Sequence, residues 1–285
     1  MLSFRWPAPR LVRRLKYKSN WQYRLATSRF RSLPDFIIIG AQRSGTTSLY
    51  YYLFQHPEIL PCFRKEVHYF DGGLDPDVDN YAKGEEWYRA HFPLKRSLRG
   101  RFKTGEASPL YIFNPLAPKR IFDLIPEVKI ITILRNPAER AISHYFHVAR
   151  QGLEPLPIME ALQEEDRRMI SVIHNKAYKS NTFNKYSYRS RGLYHEQLER
   201  YLQYFSRRQM LVLSSEELFR EPEATLGKVY EFVGVESGFK VKDLTARNIG
   251  KNRVEVDLRV YEYLHEFFWP HNQALYKLID RSFDW

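Results

Sequence analysis

The sequence predicts an α/β fold built on a parallel sheet, on three observations. The run Phe36-Ile37-Ile38-Ile39, apolar and mostly β-branched, ends at Gly40 and leads through a short polar loop into a helix-like segment. A second run, Val128 to Leu134, ends at Arg135 and is followed by Pro137, a residue favoured in the first turn of a helix. A third, Gln209 to Leu213, runs into Ser214 and Ser215, either of which suits a helix N-cap. Short continuous apolar runs that alternate with helical patterns read as buried parallel strands with crossover helices.

The first unit organises the rest. Between Pro34 and His56-Pro57 the chain reads as strand, loop and helix, and the loop is Gln42-Arg43-Ser44-Gly45-Thr46-Thr47. A glycine-bracketed turn at a helix N-terminus aims backbone N–H groups and the positive end of the helix dipole at one point, which is the physics of anion capture. The Gly40-x4-Gly45 spacing fits a nucleotide phosphate loop. Thr46 stands where the triphosphate motif has lysine, and the cation sits within the loop as Arg43. The loop therefore suits one 5′-phosphate-like group better than a triphosphate.

The second strand sharpens this. In triphosphate enzymes such a strand commonly ends in the aspartate that holds Mg²⁺, but here it ends in Arg135. A cation at the carboxyl end of a strand, where open α/β sheets bind ligands, fits a second phosphate of the same nucleotide and no metal. In the helix after Pro137, Arg140 and Ser143 lie on related faces. The segment Lys65 to Asp71 reads as a short extended stretch with Glu66, His68 and Phe70 on one face, so a carboxylate and an imidazole form a candidate acid–base pair.

The remaining elements are plainer. Residues 72–100 read as aromatic-rich loops with one short helix, Gly105 to Tyr111 as a polar turn before a helix near Pro118 to Leu124, and Ile158 to Ile170 as a helix. Gly192-Leu193-Tyr194 opens a helix carrying Leu198, Tyr201, Leu202 and Phe205 at helical period. Ser215 to Val233 reads as turn and helix, and the tail as two helical pieces, Leu258 to Phe268 and Pro270 to Ile279. Asn248 to Arg253 is a basic, glycine-containing loop whose Lys251 and Arg253 either close over a phosphate or are solvated.

Composition bounds the class. The 285 residues, 44% hydrophobic, support one large domain, assigned to residues 34–285 after a basic N-terminal extension of residues 1–33. The formal charge of +12 suggests a nucleic-acid binder until it is located: residues 1–33 hold nine Lys or Arg and no acid, and removing those nine from 45 leaves 36 basic against 33 acidic residues. The excess belongs to the extension, an arm for an anionic surface, an acidic polymer or the protein's own body, and no specific nucleic-acid partner is expected. Nothing in it is apolar enough for a signal peptide or a membrane span, although its Arg-rich character leaves a transit peptide open. One cysteine, Cys62, excludes an intrachain disulfide and a thiolate-rich metal site, so a reducing, cytoplasmic setting of bacterial type is expected.

Together Pro34 to Leu49, Lys65 to Asp71 and Ile130 to Tyr145 resemble the PAPS-dependent sulfotransferases, in particular the heparan sulfate N- and 3-O-sulfotransferases and their bacterial relatives. The resemblance implies a P-loop NTPase-like fold, a three-layer αβα sandwich with a central parallel sheet, in which Gln42, Arg43, Ser44, Gly45, Thr46 and Thr47 hold the 5′-phosphosulfate of 3′-phosphoadenylyl sulfate (PAPS), leaving PAP as product. It implies that Arg135 and Ser143 take the 3′-phosphate, and that Tyr194 with Gly250, Lys251 and Asn252 closes over the nucleotide. Glu66 becomes the general base, with His68 and Asp71 in support, and Arg43 stabilises the departing phosphate. The acceptor it implies is a sugar or glycan. Relatives usually carry lysine at the Arg43 position and after the glutamate where this chain has Ala107, and they have a disulfide this chain lacks. Two other readings stay open: a P-loop kinase of a small nucleotide or sugar, and a non-catalytic binder of anionic polymers.

Overall fold

The computed structural model describes residues 10–98, 100, 102–247 and 255–285, the side chains of residues 10–13 excepted. Five strands form one parallel sheet: β1 (Phe36–Gly40), β2 (Ile59–Pro61), β3 (Lys103–Ala107), β4 (Lys129–Leu134) and β5 (Met210–Ser214), in the order β2-β3-β1-β4-β5. Helices α1 (Arg10–Ala26), α2 (Thr46–Leu53), α3 (Gly84–Arg89), α4 (Ala117–Leu124), α5 (Pro137–Ala149) and α6 (Ile158–His174) precede α7 (Asn181–Tyr186), α8 (Tyr194–Leu202), α9 (Ser215–Arg220), α10 (Pro222–Val233) and α11 (Leu258–Ile279). From β1 the chain steps to one side of the sheet and from β4 to the other. Right-handed crossovers then place their helices on opposite faces and open a crevice beyond the carboxyl end of β1.

The sequence pattern explains the middle of the sheet. β1 is buried at every position, as a central parallel strand must be, and pairs with β3 from Phe36↔Gly105 to Ile38↔Ala107 and with β4 from Phe36↔Lys129 to Gly40↔Thr132.

Three expectations need correction. Gly105 to Tyr111 does not begin as a polar turn, because Lys103–Ala107 is β3, next to the centre of the sheet. Its Gly105 and Glu106 hide it from an apolar-run criterion. The glycine is required by the Phe36 ring, which would lie 2.4 Å from an added Cβ, and Glu106 is fully buried on three hydroxyl donors, Tyr88, Ser108 and Tyr111. Lys65 to Asp71 is not an extended strand: Glu66 and His68 have left-handed backbones, φ 59° and 51°, and Phe70 is in the core. The C-terminal tail is one helix that runs through Pro270. Val260, Leu264, Phe268, Leu275 and Ile279 keep one buried stripe on both sides of the proline, so tertiary packing outweighs the missing backbone donor.

The described part of the basic segment begins with the helix α1, and from Tyr17 onward it packs against the body of the protein. Trp21 stacks on Phe63 at 5.6 Å and sits 4.7 Å from the His91 ring. Arg24 donates to the carbonyls of Ala90 (2.7 Å) and Phe92 (2.9 Å), and Arg31 donates to Phe92. Burial, followed by the neighbouring Arg31, lowers the Arg24 pKa to about 10. Among the described residues no helix is long and apolar enough to cross a membrane.

Candidate active site

The carboxyl ends of four parallel strands meet at one cleft of about 740 Å³. β1 delivers Gln42, Arg43, Gly45, Thr46 and Thr47; β3 delivers Pro109 and Leu110; β4 delivers Arg135; β5 delivers Ser215 and Glu216. Gly45 caps α2 in the left-handed region at φ 91°, and an added Cβ would meet the Phe219 ring at 3.1 Å, so only glycine turns the loop into the helix here without strain. Asn136 caps α5 by accepting from the amides of Ala138 and Glu139, which fixes the helix that carries Ser143.

One wall is cationic. Arg43 Nε donates to Ser143 Oγ at 3.1 Å, and Arg135 donates to the Arg43 carbonyl at 3.3 Å and to Glu139 Oε2 at 2.8 Å. Burial, then Arg150 and Arg135, lower the Arg43 pKa. His147 is lowered in turn by burial, Arg43 and Arg150. Cations gathered with so few counter-charges favour an anionic ligand between them.

Glu66 and His68 line the same cleft. Their carboxylate and imidazole approach to 3.6 Å (Oε2 to Nε2), while His68 Nδ1 lies 2.6 Å from Asp71 Oδ2 and Lys65 pairs with Glu66 Oε1. Burial by itself would strip His68 of its proton, but Asp71 and then Glu66 raise its pKa to about 9. Burial would likewise raise the Glu66 carboxyl, but His68 and Lys65 outweigh it and hold it at about 2. The result at neutral pH is an ionised Glu66 beside an imidazolium.

The structure places the other candidate residues differently. Ser44 and Tyr194 are buried behind the cleft, Tyr194 donating to the Arg135 carbonyl at 3.0 Å. Arg140 is fully buried and donates to the Tyr188 carbonyl, so of the two α5 residues only Ser143 lines the cleft. Gly250, Lys251 and Asn252 lie outside the described residues. Sequence reasoning missed Arg191, which binds the Gln42 side chain, and Asn184, His147, Arg150, Phe219, Arg247 and Tyr261, which line the cleft with it. Arg191 directly precedes Gly192, and His147 and Arg150 follow Ser143 at helical spacing along α5 and at its end, so these three had a local signal; the others come from segments that only the fold brings together. The only His and acidic side chains grouped for a metal among the described residues, His195, Glu196 and His271, do not line the cleft.

A family model described as the sulfotransferase domain matches residues 33–255. The chain belongs to the sulfotransferase family. It is 32% identical to a sulfotransferase from Alicyclobacillus acidocaldarius, a match covering 88% of this chain and 98% of that one with a TM-score of 0.72. It is 32% identical to the mouse (Mus musculus) bifunctional heparan sulfate N-deacetylase/N-sulfotransferase 4, over 87% of this chain and 30% of the relative. It is 28% identical to the membrane-associated sulfotransferase kil1 of Dictyostelium discoideum, over 89% of this chain and 66% of the relative. This sulfotransferase thus spans about a third of one of these relatives and two thirds of the other. As in the P-loop type of fold expected, its cleft lies where the strand order reverses.

Proposed function

We propose that this sulfotransferase uses 3′-phosphoadenylyl sulfate as donor and a hydroxyl or amine of a carbohydrate as acceptor. The observation that carries the reading is the meeting, in one cleft, of the Arg43–Ser143–Arg135 cluster and the Glu66–His68 pair. The cationic wall suits a nucleotide with two separate phosphate positions: the loop residues Gln42, Arg43, Gly45, Thr46 and Thr47 would take the 5′-phosphosulfate, and Arg135 with Ser143 the 3′-phosphate. Ser44 and Tyr194 would brace the loop and strand end from behind. The carbohydrate part leans on the heparan sulfate named in the mouse relative.

The reaction follows as an in-line displacement. The acceptor oxygen or nitrogen forms a bond to sulfur as the bond from sulfur to the 5′-phosphate oxygen breaks, and that electron pair stays on the phosphate. Arg43 and the loop amides absorb the charge developing there. Glu66 takes the acceptor proton, a contribution of roughly 10²–10⁴-fold. A carboxylate held at about 2 is a weak base. An acceptor that displaces Lys65 would raise it, and the acceptor's own acidity grows as its bond to sulfur forms. His68, kept charged by Asp71, steadies the Glu66 carboxylate.

The test is calorimetric titration with 3′,5′-ADP, and separately with ATP and Mg²⁺, for the protein and for Arg135→Ala. Tight metal-independent binding of 3′,5′-ADP that the substitution weakens supports the reading. Binding of ATP with Mg²⁺ alone overturns it in favour of a kinase. Retention of anionic polymers by Glu66→Gln, with no turnover by either protein, would favour the binder.

A further inference from the structure

We propose that Glu106 is a positioning residue for the transfer chemistry, a buried carboxylate that sets, through the hydroxyls of Ser108 and Tyr111, the turn bearing Glu66 and His68. The inference rests on the functional reading above for what the turn does, but its structural claim stands on hydrogen bonds. Glu106 lies on β3 and is fully buried, which pushes its carboxyl up to about 7 although the hydroxyls of Tyr88, Ser108 and Tyr111 favour the ionised form, the one that accepts from all three. Its Oε1 accepts from Tyr88 (2.6 Å) and Tyr111 (3.2 Å), and its Oε2 accepts from Ser108 (2.8 Å).

A hydroxyl has one proton to donate and two lone pairs to accept with. Once Ser108 and Tyr111 have committed their protons to Glu106, only lone pairs remain for other partners. Three successive backbone amides of the turn meet them: His68 N–H donates to Ser108 Oγ at 3.2 Å, and Tyr69 and Phe70 N–H donate to Tyr111 Oη at 2.8 and 3.4 Å. Without the carboxylate, the hydroxyl protons would be free to turn toward those amides and oppose them. The turn is further tied by Glu66 N–H to the carbonyl of Ala107, the neighbour of Glu106, at 3.0 Å.

The turn needs such holding. Glu66 and His68 both have left-handed backbones, which cost roughly 1 kcal/mol or more each for residues with a Cβ and persist only where the surroundings over-determine them. Tyr88 supplies an internal control: it donates to the same carboxylate oxygen as Tyr111, yet none of its hydrogen bonds reaches the turn.

The experiment compares Tyr111→Phe, Ser108→Ala, Tyr88→Phe and Glu106→Gln in the full chain, by amide hydrogen exchange over residues 66–71, kcat and 3′,5′-ADP affinity. Tyr111→Phe and Ser108→Ala should speed exchange in the turn by roughly tenfold or more. They should also lower kcat by about 10–100-fold with nucleotide affinity kept, since a small misplacement costs rate before binding. Tyr88→Phe should stay close to the unsubstituted protein in both, and Glu106→Gln, which keeps one acceptor oxygen, should fall between. Equal effects of Tyr88→Phe and Tyr111→Phe would reduce Glu106 to a core residue and overturn the proposal, as would unchanged exchange in Tyr111→Phe. If Glu106→Gln does not fold, the tyrosine pair still decides. Absence of sulfuryl transfer in the unsubstituted protein would strike the functional reading, while the exchange data judge the positioning separately.

Discussion

Arg43 and Ser143, one hundred residues apart, meet through a 3.1 Å hydrogen bond that joins the phosphate loop to α5. Each is assigned to a different end of the donor, Arg43 to the bridging phosphate oxygen and Ser143 to the 3′-phosphate, so nucleotide and protein compete for this bond. Arg43→Ala is expected to lower single-turnover rate by about 10²–10³-fold, the scale of losing a preorganised donor at a developing oxyanion. Ser143→Ala should instead weaken 3′,5′-ADP by roughly tenfold and spare the rate at saturation. Rapid-quench kinetics with calorimetry separates the two, and equal rate losses would refute the division of labour.

On the proposed reading, Arg135 distinguishes a nucleotide with a 3′-phosphate from one without it. Arg135→Ala should raise the Kd for 3′,5′-ADP by roughly 10–100-fold, the worth of a charged hydrogen bond, and leave 5′-AMP nearly unchanged. Equal losses for both nucleotides would place Arg135 elsewhere. Because the 3′-phosphate competes with Glu139, the 2.8 Å partner of Arg135, Glu139→Gln alone should tighten 3′,5′-ADP.

The acid limb of the rate profile should report Glu66. Glu66→Gln is expected to lower kcat by roughly 10²–10⁴-fold with nucleotide binding intact. Lys65→Met removes one of the two groups that hold Glu66 at about 2, so the free-enzyme acid limb should move to higher pH. An unmoved limb would assign it to another group.

The turn from Glu66 to Asp71 should loosen on the alkaline side. His68 has its pKa raised from 6.5 to about 9, so its protonation stabilises the folded state fully below 6.5 and that contribution is lost as pH rises through 9. Glu66, lowered from 4.5 to about 2, contributes above 4.5 and loses its contribution as pH falls toward 2. Imidazole NMR should find His68 charged at neutral pH in the unsubstituted protein, with a lower pKa in Asp71→Asn. A His68 that titrates unchanged in Asp71→Asn would contradict the pairing.

The cationic wall predicts a coupled titration. His147 is lowered by burial and by Arg43 and Arg150, so an anion bound among those arginines should raise it. Proton uptake on 3′,5′-ADP binding, measured by calorimetry in buffers of different ionisation enthalpy near the His147 pKa, should shrink in His147→Gln.

Much of this was legible in the sequence because it is local. A β-branched apolar run ending at Gly40, a glycine-bracketed loop and hydroxyls at the start of α2 specify strand, loop and helix within the eighteen residues from Phe36 to Leu53, and the run Val128 to Leu134 specifies β4 in the same way. The charge asymmetry of the first 33 residues and the single cysteine are equally properties of the chain alone. Tertiary structure alone decided the rest, because burial, partner and backbone angle are set by residues distant in sequence. β3 is a strand only because Phe36 covers Gly105 and three hydroxyls satisfy Glu106. α11 continues through Pro270 because its buried stripe resumes beyond it. Glu66 and His68 share a site through two left-handed turns and not through strand alternation. Arg191 reaches Gln42 across 149 residues, a proximity that no local pattern encodes.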